Sequence, residues 1–126
     1  MPPRPSHMIP ISRLKRRKDF LRISHKGQKS ALPGLVLQTL RGPHPNPTSP
    51  TNIRVGFTVT KKIGNAIKRN RTRRRLKAAA SEVMTTHAKK NTDYVLIGRS
   101  GTLKRPFTLL VEDLATAMQK LNVYQD

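Results

Sequence analysis

Residues 53–87 read IRVGFTVTKKIGNAIKRNRTRRRLKAAASEVMTTH, and the change of period inside this stretch sets the fold class. From 53 to 60, Ile53, Val55, Phe57 and Val59 alternate with Arg54, Gly56 and Thr58. That period of two predicts a strand with one face on the core. Gly64-Asn65 breaks the extended run, and Asn65 is suited to cap a helix continuing from Ala66 to about His87. At 100° per residue, Thr72, Leu76, Ala79, Ala80, Val83 and His87 fall on one stripe that can face a sheet. The same spacing turns Arg71, Arg74 and Arg75 away from it and leaves Arg69, Arg73 and Lys77 at its edge.

Working outward, 93–99 reads as a buried strand because Tyr94-Val95-Leu96-Ile97 is continuously apolar. Pro106 opens a last helix, in which Leu109, Leu110, Leu114, Ala117, Met118 and Leu121 recur at helical spacing. Upstream, Pro33-Gly34 marks a turn before a strand at 35–40, and a weaker extended stretch is expected at 28–31. Before that, Leu14, Phe20, Leu21 and Ile23 among basic residues predict a short helix with Ser12 as N-cap and Gly27 as its stop. Residues 42–51 hold four prolines and read as a loop; 1–10 hold four more and read as a flexible tail. The expectation is an α+β fold, a small mixed four-stranded sheet packed by helices in the order αβββαβα, forming one domain over 11–126.

The charge is lopsided. The 126 residues carry 26 Lys and Arg against 6 Asp and Glu, a formal +20, which calls for a polyanion. Residues 1–77 hold 20 of the bases with Asp19 as the single acid, whereas 78–126 are nearly neutral. Within KKIGNAIKRNRTRRRLK, residues 61–77, nine bases meet no acid. Mixed-sign charge runs solvate helix faces; an acid-free run that carries like-charge pairs at i and i+4 destabilises its own helix and points to nucleic acid. Guanidinium forks suit phosphate, Asn70 offers a donor and an acceptor to a base or sugar, and Asn65 stands at a helix N-terminus, which attracts anions.

Other classes fit poorly. No run approaches the roughly 18 residues of a spanning helix, and Met1 to His7 have no apolar signal core. A cytoplasmic location is therefore expected, and the absence of cysteine suits a reducing compartment. Four scattered histidines make a zinc site improbable. A nuclease using its own side chains needs clustered carboxylates. The one adjacent pair, Glu112-Asp113, points apart by about 100° on a helix and reads as solvated surface. A structural RNA binder of the ribosomal-protein kind remains the competing class.

VGFTVTKKIGNAIKRNRTRRRLKAA, residues 55–79, resembles the signature of the bacterial ribonuclease P protein family, with Arg69-Asn70-Arg71 and the Arg74-Leu76 spacing in place. The resemblance extends to RLKRRKDFLRI at 13–23, DYVLIGR at 93–99 and FTLLVEDLATAMQKL at 107–121. It implies a ribonucleoprotein that removes the 5′ leader from precursor tRNA, in which the RNA subunit performs the hydrolysis with Mg2+. No organic cofactor, catalytic protein residue or protein metal site is expected, and neither DNA nor a membrane is an expected partner. The RNA-subunit contact falls on Lys61, Lys62, Asn65, Arg69, Asn70, Arg71, Arg73, Arg74 and Lys77. A cleft for the leader falls on Arg16, Lys18, Phe20, Arg22, Val36 and Gln38. Phe20 reads equally well as a core residue. Where the family often has aromatics, this chain has Ser24 and Gln38, which leaves Phe20 as the one stacking platform beside Arg16, Lys18 and Arg22. The resemblance also implies a ribosomal protein S5 domain 2-like fold with a left-handed βαβ crossover, against the general right-handed rule.

Overall fold

In the computed structural model, residues 11–42 and 53–126 are described; the tail expected at 1–10 and the loop expected at 42–51, Gly42 apart, lie outside them. The strand–helix junction forms as the change of period requires. β4, Ile53–Thr58, leads through a 3-10 turn at Lys61–Ile63 into α2, Ala66–His87. Gly64 takes φ +141, in the region that favours glycine. Asn65 then caps α2, its Oδ1 accepting from the Lys68 N–H at 3.0 Å.

The remaining elements are β1 Ser12–Arg13, α1 Arg17–Lys26, β2 Gln28–Ala31, β3 Leu35–Arg41, β5 Thr92–Gly98 and α3 Phe107–Lys120. The sheet runs β1-β4-β5-β3-β2. β4 is parallel to β1 and β5, while β3 is antiparallel to β5 and β2. α2 is thus the crossover between two adjacent parallel strands.

The sheet has five strands where four were expected. Ser12 does not cap a helix. It pairs with Arg54, and Arg13 with Val55, and the Leu14 N–H donates to the Val55 carbonyl at 3.0 Å. The open edge of β4 would otherwise leave ladder groups unpaired, and residues 12–14 close it. α1 begins only at Arg17, with Arg16 in the capping position and no side-chain cap.

α2 and α3 cover one face of the sheet and α1 the other. The larger core sets Leu35, Leu37, Ile53, Val55, Tyr94 and Leu96 against Leu76, Ala79, Met84, Leu110, Leu114 and Met118. The smaller one gathers Leu14, Ile23 and Val95 with Phe20, Leu40 and Ile97. β4 is consequently buried on both faces, not on one: its nominally polar positions Arg54 and Gly56 lie on the α1 side. Met84 joins the inward stripe of α2. His87, at the end of that stripe, is half-buried and stacks on Tyr124 with ring centroids 4.4 Å apart. The Tyr94 hydroxyl is fully buried; it donates to the Val123 carbonyl at 3.0 Å and accepts from the Lys89 N–H at 2.9 Å. Burial pushes its pKa up to about 12.

Candidate nucleic-acid interface

The α2 surface is built by its cap and its stripe. Because Thr72, Leu76, Ala79 and Ala80 are buried against the sheet, most of the residues between them are turned outward or to the helix edge. Lys61, Lys62, Asn65, Asn70, Arg71 and Arg74 are exposed, and Arg69, Arg73 and Lys77 are half-buried at the helix edge. Asn70, Arg73, Arg74 and Lys77 border a shallow concavity of about 490 Å³. Arg73 Nη1 donates to Asn70 Oδ1 at 3.2 Å, which holds the amide in place on the helix surface. All nine residues expected to meet RNA therefore share the first turns of α2 and its N-terminal approach.

Arg75 departs from expectation. Instead of pointing to solvent it is half-buried, donating to the Thr102 carbonyl at 3.0 Å and also to the Arg105 carbonyl. Asp113 likewise is buried rather than solvated. It receives Arg105 through two bonds of 2.7 and 3.1 Å and the Gly34 N–H at 2.9 Å. Helical spacing places both residues on their own helices correctly. It carries no information about the segment 99–106, which folds over them.

On the opposite side of the sheet, strand register places Gln38 beside Val95 and Val95 beside Gly56. The Phe20 ring lies over this row: a Cβ added at Gly56 would sit 2.5 Å from Phe20 Cζ. Phe20 is half-buried, packed against the smaller core with part of its surface left open. The next row, Val36, Ile97 and Thr58, is half-exposed. Phe20, Val36 and Gln38 thus share one face, with Arg16 exposed at the start of α1. Lys18 lies two residues, about 200°, from Phe20 and is turned away from that face.

Arg22 is drawn into a cluster that sequence reasoning missed. Its Nη2 donates to Asp93 Oδ2 at 2.7 Å, and Asp93 Oδ1 lies 3.6 Å from Arg54 Nη1, whose side chain is 4% exposed. This cluster ties α1 to the two central parallel strands beneath it. The available signal was an acid at a strand start opposite a base in the neighbouring parallel strand, the Arg54–Asp93 register.

Among the described residues no helix is long and apolar enough to cross a membrane.

Comparison with known proteins identifies the family. The family model described as Ribonuclease P matches residues 8–122. The ribonuclease P protein component of Paramagnetospirillum magneticum is 46% identical over 120 residues, covering 91% of this chain and 86% of that protein. That of Gluconacetobacter diazotrophicus is 48% identical over 111 residues, covering 88% and 91%. Among solved structures, the Staphylococcus aureus RNase P protein superposes with a TM-score of 0.70 at 25% identity, over 90% of this chain and 97% of that one. The Thermotoga maritima RNase P protein shares the fold, with a TM-score of 0.66 at 24% identity over 87% and 94%. The family match covers most of the chain, and both relatives exceed 40% identity over most of their length: the chain belongs to the bacterial ribonuclease P protein component family, an RNA-binding subunit that works in tRNA processing with an RNA partner.

Proposed function

We propose that this subunit uses its two sheet faces for two RNAs. The α2 surface, Lys61 to Lys77, holds the RNA subunit. The cleft of Phe20, Val36 and Gln38, with Arg16 at its rim, receives the single-stranded 5′ leader of precursor tRNA. Hydrolysis belongs to the RNA subunit and its Mg2+. The observation that carries this reading is the placement of the two surfaces on opposite faces of the sheet, which lets both be occupied together.

The donor set supports leaving the metal to RNA. Of the carboxylates, the two buried ones are already committed, Asp93 to Arg22 and Arg54 and Asp113 to Arg105. Neither suits a hard cation that asks for free oxygen ligands. Arg22, paired with Asp93, serves to position α1 more than to bind phosphate. Lys18 contributes only long-range attraction. Both polyanions in this reading are RNA, with neither DNA nor a membrane involved, and the work is done in the cytoplasm.

The leader cleft is tested with Phe20→Ala in a holoenzyme assembled on a bacterial ribonuclease P RNA. Stacking contributes roughly 1–3 kcal/mol per base, so affinity for a precursor bearing a leader should fall about fivefold or more. Affinity for mature tRNA should not change. Equal loss for both substrates, or loss for neither, would remove Phe20 from the leader site. Thermal melting of the variant separates loss of stacking from loss of fold.

A further inference from the structure

Between α2 and the segment leading into α3 runs a second groove, of about 520 Å³, lined by Arg71, Arg74, Arg75, Ala78, Leu103 and Phe107. Its size is that of a small-ligand site. Its walls are held at a fixed separation, because Arg75 ties α2 to the Thr102 and Arg105 carbonyls. Thr102 is itself fully buried; its hydroxyl donates to the Gly34 carbonyl at 2.6 Å and accepts from the Arg99 N–H at 2.8 Å. Arg105 is locked by Asp113. The arginine that spacing had turned to solvent thus serves as the clasp of a preformed slot.

Exposed apolar surface stands in this slot at Phe107 and, outside its lining, one turn away at Ile67. Phe107 is 36% exposed, and Ile67, one turn before Arg71 on the same stripe of α2, is 66% exposed. They are two of the three large apolar side chains left exposed among the described residues. Beside them, Arg71 and Arg74 make no hydrogen bond or ion pair among the described residues. An aromatic face next to two uncommitted guanidinium groups matches a nucleotide, which presents a flat base and an anionic phosphate on one small unit. A duplex could not offer its bases to a groove of this kind, whereas an unpaired residue can be splayed into it.

We infer that this groove takes one unpaired base of the RNA subunit, stacked on Phe107, with its flanking phosphates held by Arg71 and Arg74. The inference rests on the reading that α2 meets the RNA subunit, and it adds that the contact includes a base and not backbone alone.

The test uses the full-length protein and a bacterial ribonuclease P RNA. Phe107→Ala should weaken binding about five- to 150-fold, the equivalent of one lost stack. The salt dependence should keep its slope, since no phosphate contact is removed. Phe107→Leu, which keeps apolar bulk but lacks a ring, should lose nearly as much. Because the chain contains no tryptophan, Phe107→Trp introduces a single reporter, and saturating RNA should quench its emission and shield it from iodide. Wild-type affinity in Phe107→Leu, or an unquenched, iodide-accessible tryptophan in the complex, would overturn the slot while leaving α2 as the RNA-binding surface. Failure of the wild-type protein to bind the RNA would overturn the α2 reading itself. Phe107→Leu and Phe107→Trp preserve bulk at the start of α3, so the test survives even where alanine disturbs the helix.

Discussion

Replacing Arg71 and Arg74 together by alanine should weaken binding to the RNA subunit by about a hundredfold or more, since each charge-assisted hydrogen bond contributes roughly 1.5–3 kcal/mol. The slope of log affinity against log salt should become shallower by about 1.4, because each phosphate neutralised on an unpaired strand contributes close to 0.7. The pair is a clean choice. Both side chains are exposed and, among the described residues, bond to nothing in the protein. Removing Arg71 also relieves a like-charge repulsion with Arg75 one turn on, so α2 should lose no stability. A titration series over salt with wild type and double variant measures both quantities. Equal slopes would show that these guanidinium groups face no phosphate.

A second large effect is expected inside the fold. Asp93→Ala removes the carboxylate that stands between Arg22 and Arg54, leaving charge in a region where Arg54 is only 3% exposed. Breaking a buried pair of this kind costs about 3–5 kcal/mol, against a total stability of roughly 5–15 kcal/mol for a domain. Urea unfolding should show that loss. Asp93→Asn, which keeps an acceptor for Arg22 and gives up the charge, should fall between wild type and alanine. The damage should also reach the leader cleft, because Arg22 anchors α1 and with it Phe20. A loss below about 1 kcal/mol for the alanine variant would mean that packing around Ile23 and Leu14, rather than the ion cluster, holds α1 on the sheet.

What could be read from the chain and what could not divide along the range of the interactions involved. The β4-to-α2 junction was legible because its signals are local: alternation at Val55 and Phe57, a glycine at the turn, an asparagine cap, then helical spacing from Thr72. The outward direction of Arg71 and Arg74 followed from the same spacing. Residues 12–13 were taken into the helix because a two-residue strand has no period of its own. Their strand identity comes from the open edge of β4, some forty positions away. Arg75 and Asp113 were misplaced for a related reason. A helical wheel knows its own axis, and both residues are claimed by the segment at 99–106 crossing over them. The Arg22–Asp93 pair spans 71 positions and leaves no pattern that a single sequence can show. Phe20 was open between core and platform; its ring packs against Gly56 and is half-buried, which leaves both readings in place.

The resemblance supplied what spacing could not, the identity of the polyanion. Charge alone pointed to a polyanion, and the family match names an RNA subunit as the protein's partner. In the proposed reading, the five-stranded sheet stands between the RNA subunit on α2 and the leader beside Phe20.

The most direct test is reconstitution of the purified protein with a bacterial ribonuclease P RNA, following precursor-tRNA cleavage at low Mg2+. Adding protein should raise the rate of 5′ leader removal by the RNA, while protein alone should cleave nothing. No stimulation of the RNA, or cleavage by an RNA-free preparation of the protein, would contradict the account.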